Sequence, residues 1–129
     1  MIEQKDLQAL AEFSGSGQVL SLYVDTDLAH NSKDALKLKV RQAVKNLDSA
    51  SIADDVEAVE KFLDYAYDWQ ARGVAIFSSG KELWETVPLP IAVETQAFVS
   101  SRPYVRVLYD ILDRFGRYSI ALIDRESVR

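Results

Sequence analysis

The sequence predicts an α/β (α+β) domain: one mixed or mainly antiparallel sheet of four to five strands, with a helical hairpin and two further helices packed on it. Three observations lead there. VLSLYVD at 19–25 and VAIF at 74–77 are apolar runs of strand length. Between them lie two stretches with apolar residues at helical spacing and almost no connection. Later come shorter β-rich runs and another helical pattern, so strands and helices mix within a single small chain.

Residues 3–13 read as a short amphipathic helix with Leu7, Leu10 and Ala11 inward, ended by SGSG at 14–17. The 19–25 run is apolar and β-branched, as a buried strand is. TDLAHN is a polar loop, and Ser32 is placed to cap the next helix. In that helix Leu36, Val40, Ala43 and Leu47 recur at i, i+4, i+7 and i+11 and form its inward face. A third helix, capped by Asp48 or Ser51, is expected to run to about Trp69 with Ile52, Val56, Val59, Leu63 and Ala66 inward. The short link makes the two an antiparallel hairpin. Gly73 breaks the pattern. VAIF then reads as a central strand and SSGK as a turn. The 83–87 strand is expected to stop before Pro88 and Pro90. A strand at 95–99 follows. Pro103 suits the first turn of a last helix and Gly116 its exit, with Tyr104, Leu108, Ile111 and Phe115 on one side. YSIALID at 118–124 closes the order as a strand.

Composition limits the function. The chain has 129 residues, enough for one domain with a core, and 48% are apolar. It has no cysteine, which excludes disulfides and thiolate metal sites and fits a cytoplasmic setting. Charged residues interrupt the N-terminal stretch, so it does not read as a signal peptide. No apolar run reaches the roughly 20 residues of a membrane span. A net charge of −5 argues against broad, nonspecific binding to nucleic acid, though not against a local basic patch.

Catalytic signals are weak. His30, the single histidine, lies in a polar loop without a recognisable partner. Asp25 and Asp27, at a strand end, are a possible pair of ligands for a hard cation; the competing reading is an ordinary turn. No P-loop, HExxH or GxSxG is present, and no catalytic residue, metal or cofactor is assigned. Tyr65, Tyr67 and Trp69, and Tyr104 and Tyr109, have the spacing of core and rim aromatics, with base stacking as the alternative. The feature that stands out is a basic stripe. Lys33, Lys37, Arg41 and Lys45 recur every fourth residue of the second helix, and Lys39 widens the face. Cations on one exposed face are what phosphate contacts need. Glu57, Glu60, Asp64 and Asp68 make an acidic line on the third helix, and the hairpin is expected to set that line close enough to neutralise the stripe.

Several stretches together carry a family resemblance. VLSLYVDTD supplies Ser21, Leu22, Tyr23 and Thr26 in an apolar xSLYxxT strand. KLKVRQAVKNL approximates a basic KLKxxxxxAxxxL helix, and GVAIFSSG places Gly73, Ala75, Phe77 and Gly80 in a GxAxFxSxG segment. TVPLP and the helix bearing Pro103, Leu108 and Leu112 follow in order. This series resembles the N-terminal domain of the archaeo-eukaryotic class-1 peptide-chain release factors, and most of all their bacterial relatives. It covers about residues 18–129.

The resemblance implies a release-factor-like N-terminal domain over 1–116. Residues 117–129 are then a last strand or the opening strand of a truncated second domain, which in the family carries the Gly-Gly-Gln of peptidyl-tRNA hydrolysis. It also implies engagement of the ribosome or tRNA in termination, rescue or dormancy. The family's Asn-Ile-Lys-Ser tip is replaced by the acidic LDSASIADD at 47–55, and Phe98, Ser100 and Tyr104 match its Tyr-x-Cys-x-x-x-Phe element only loosely. Stop-codon decoding is therefore not expected. If RNA is touched, Lys33, Lys37, Arg41 and Lys45 are the expected contacts, with His30 and Asn31 at the helix entry. Two other classes stay open: a protein-interaction or homodimerisation module, and a metal-dependent hydrolase built on Asp25 and Asp27.

Overall fold

The computed structural model describes residues 4–29, 31–47, 52–111 and 113–114, with the side chains of 4–6 left aside. The elements run α1 (Gln4–Ala11), β1 (Val19–Asp25), α2 (Lys33–Lys45), α3 (Ala53–Lys61), β2 (Gly73–Ser79), β3 (Leu83–Leu89), β4 (Gln96–Ser100) and α4 (Arg106–Ile111). The four strands form one antiparallel sheet in the order β3-β2-β1-β4. The expected α+β architecture is therefore present. The 118–124 strand, Gly116 and the helix-capping Asp48 and Ser51 lie outside the described residues.

Alternation along the central strands sorts the core into two. Leu20, Leu22 and Val24 of β1 join Val74 and Ile76 of β2 on one face, where they meet Leu36, Val40, Val44, Ile52, Val59 and Leu63 of the hairpin. Tyr23, Ala75 and Phe77 point to the other face and meet Leu7, Leu10, Leu108 and Ile111. The sheet is thus sandwiched between helices. Both central strands are covered on both faces, which is why their sequences read as continuous apolar runs.

Local chemistry fixes the joints. Ser32 caps α2, its Oγ accepting from the Ala35 N–H at 3.2 Å. Asp55, buried in the first turn of α3, accepts from Ser78 Oγ at 2.6 Å and from the Gly80 N–H at 2.9 Å, tying the hairpin to the β2–β3 turn. Gly80 has φ +54°, a conformation that favours glycine. At Gly73 a Cβ would lie 2.8 Å from the Ile91 carbonyl oxygen, so glycine lets the segment before β4 cross close by.

Four details depart from the sequence reading. The third helix does not reach Trp69. It ends at Lys61 and passes into a π-helical turn, Phe62–Ala66, closed by the Tyr67 N–H donating to the Phe62 carbonyl at 2.8 Å. Trp69 sits at φ 59°, and its buried indole turns back to donate to the Leu63 carbonyl at 3.1 Å. This side-chain bond and the burial of the indole hold a backbone conformation that is unfavourable for tryptophan. Ala66, expected inward, is exposed as a result. β3 continues through Pro88 to Leu89, because among the described residues β3 is an outer strand, where proline is tolerated. Pro103 is buried ahead of α4, which begins at Arg106.

Candidate functional site

The stripe on α2 does not act as one surface, because the helix presents its cations to three environments. Lys33 lies at the hairpin end, its Nζ 5.5 Å from the ring centroid of Trp69. Lys37 faces α3 and pairs with Asp64 at 2.6 Å, the two side chains only 25% and 35% exposed. Arg41 is 63% exposed and reaches Glu60 at 3.8 Å, the long end of an ion pair. Lys45 is exposed in the last turn and enters no salt bridge among the described residues. The acidic line of the third helix therefore neutralises the middle of the stripe more than its C-terminal end. Leu38, an apolar side chain on the outer side of α2, is 51% exposed. Asn31 is half-buried at the helix entry, and His30 lies outside the described residues.

The Asp25-Thr26-Asp27 triplet braces a loop. Thr26 donates its N–H to the Arg72 carbonyl at 3.1 Å and its hydroxyl to the Ala71 carbonyl at 2.8 Å. That leaves its oxygen to accept from the Tyr67 hydroxyl at 3.0 Å. Asp25 Oδ1 accepts from the Asp27 N–H, and Asp27 pairs with Arg72 Nε at 3.2 Å and accepts from the Ala29 N–H. Both carboxylates thus have protein partners, and among the described residues no three His, Cys, Asp or Glu side chains are placed to hold a metal ion. Burial pushes the Tyr67 phenol above its ordinary value, against the lowering effect of its bond to Thr26.

Sequence reasoning placed Lys39 on the basic stripe and so missed a second side of α2, where the structure puts it. Lys39, Gln42 and Asn46 lie along the flank away from α3 and wall a groove whose other side is Asp25, Glu94 and Thr95. Their i, i+3, i+7 spacing was visible, but the opposite wall joins the end of β1 to the segment before β4, 70 residues further along the chain. Among the described residues no helix is long and apolar enough to cross a membrane. No protein-family model matches the chain, and no curated protein matches it.

Proposed function

We propose that the chain is a non-catalytic binding domain that engages the ribosome or tRNA in the cytoplasm, through the outer, C-terminal half of α2, without decoding a stop codon. The observation that carries this reading is the pairing pattern. Lys37 is consumed by Asp64, whereas Arg41 is largely exposed beside a distant Glu60 and Lys45 is exposed without an ion pair among the described residues. Two such cations on one helix suit adjacent phosphates, and the exposed Leu38, one turn before Arg41, supplies apolar contact. The sequence resemblance to release-factor N-terminal domains supplies the class of partner. Few phosphates are engaged, which accords with a chain of net charge −5.

Co-sedimentation with ribosomes over a salt series tests it. The wild-type chain is expected in the ribosomal fraction at low salt. Arg41→Glu with Lys45→Glu is expected to release it and to flatten the salt dependence by about two phosphate contacts. A wild-type chain that stays in the supernatant, or a double variant that sediments unchanged, defeats the reading. The ion pairs along the hairpin also favour a second reading, a protein-interaction module with no RNA contact, and that outcome supports it.

A further inference from the structure

The groove on the other flank of α2 has a chemistry of its own. It encloses about 630 Å³ between the helix and the segment that leads into β4. Its walls carry two carboxylates, Asp25 and Glu94, against one ammonium, Lys39, and two primary amides, Gln42 and Asn46. The Asp25 end of the carboxylate wall is set before any ligand arrives. The Asp25 N–H donates to Thr95 Oγ1 at 3.0 Å, and Asp25 Oδ1 accepts from the Asp27 N–H at 3.0 Å. The second oxygen of Asp25 enters no hydrogen bond among the described residues. Beyond the groove lies β4, an outer strand that pairs only with β1 among the described residues.

We infer that this groove docks an extended, basic segment of a partner protein. An arginine of that segment sits between Asp25 and Glu94, where its planar fork of N–H donors matches carboxylate oxygens. Gln42 and Asn46 each offer a donor and an acceptor, the complement of a peptide group, and Lys39 takes a carbonyl oxygen. A phosphate backbone meets the opposite balance here, with two negative charges facing it and one positive. The segment leaves the groove along the outer side of β4, which among the described residues pairs only with β1 and so can accept main-chain pairing from an extended chain. The charge of −5 on the whole chain draws a basic partner in from a distance. None of these residues is Arg41 or Lys45, so the inference holds or fails separately from the phosphate contacts proposed for α2.

Fluorescence anisotropy with a labelled, end-blocked peptide of alternating glycine and arginine tests it on the full chain. The control peptide carries glutamine for arginine. The arginine peptide is expected to bind more tightly than the control. Glu94→Gln, a change at an exposed side chain, is expected to weaken it roughly fivefold, the size of one charge pair near the surface. In NMR spectra of the wild type, the side-chain amides of Gln42 and Asn46 are expected to shift on titration. Equal binding of the two peptides, or an affinity unchanged by Glu94→Gln, overturns the inference.

Discussion

On the hairpin face of the sheet, Leu20, Leu22 and Val24 meet leucines, valines and isoleucines, and nearly all the charge lies on the outside of the helices. On the opposite face, β1 presents Ser21 and Tyr23, and polar groups work inside the core. Tyr23 is fully buried, stacks edge-on against Phe77, Phe98 and Tyr104, and donates its hydroxyl to the Tyr104 carbonyl. Ser21 Oγ accepts from the Tyr104 N–H at 2.8 Å. Two side chains of one strand thus hold both polar groups of one peptide residue and fix the approach to α4. One face is held mainly by shape and area, with the Asp55 bonds at the end of the hairpin, the other by a directional clamp at its centre. The difference indicates where to look for function: apart from Asp55 and the Trp69 indole, the hairpin side carries its polar groups on the outer surface of the helices, while the clamped face spends Ser21 and Tyr23 internally.

The largest effect is expected on the aliphatic face. Leu36 is fully buried between α2 and the sheet, and Leu36→Ala is expected to cost about 2–5 kcal/mol by lost transfer energy and a residual cavity. Urea unfolding measures it. A loss below that of a single hydrogen bond means that the hairpin packs more loosely than this comparison holds.

The clamp comes next. Tyr23→Phe keeps the ring and removes the bond to the Tyr104 carbonyl, at an expected cost of about 1–2 kcal/mol. It also leaves a pH signature. Burial, with Tyr104 beside it, pushes the Tyr23 phenol well above its ordinary value, and Tyr67 shifts the same way. Each phenol then keeps its proton to higher pH folded than unfolded. Their contribution is fully present below the unfolded value of roughly 10 and is lost as pH rises through the folded pKa. Stability is therefore expected to fall above about pH 10, and less steeply in Tyr23→Phe. Equal alkaline slopes in the two proteins place the titration elsewhere.

What the sequence made legible follows the range of the forces. Strand alternation, the inward line of Leu36 and Val40 and the Ser32 cap depend on neighbours along the chain, and all were readable. The end of the third helix was not. Its spacing runs on toward Trp69, and the burial of the indole in the core, with its bond to the Leu63 carbonyl, turns the chain back. Pro88 looked like a strand end because nothing local marks β3 as an edge. At the candidate site, the stripe and the acidic line were both visible. How they divide was not, since the crossing of α2 and α3 decides that Lys37 is paired tightly and Arg41 loosely.

That division is open to the smallest measurement. Lys37 and Asp64 are each about one-third exposed or less and meet at 2.6 Å, so a double-mutant cycle with Lys37→Ala and Asp64→Ala is expected to return a coupling of up to about 1 kcal/mol. Arg41 and Glu60, 3.8 Å apart and far more exposed, are expected to couple by no more than a few tenths of a kcal/mol, and to lose even that in half-molar salt. Lys45→Ala is expected to leave stability unchanged within error, because no described carboxylate holds Lys45. The order Lys37, Arg41, Lys45 is then a gradient from structural to available charge along one helix. If Lys45→Ala costs as much as Lys37→Ala, the C-terminal half of α2 is bound up in the fold as well, and it has no charge to spare for a phosphate.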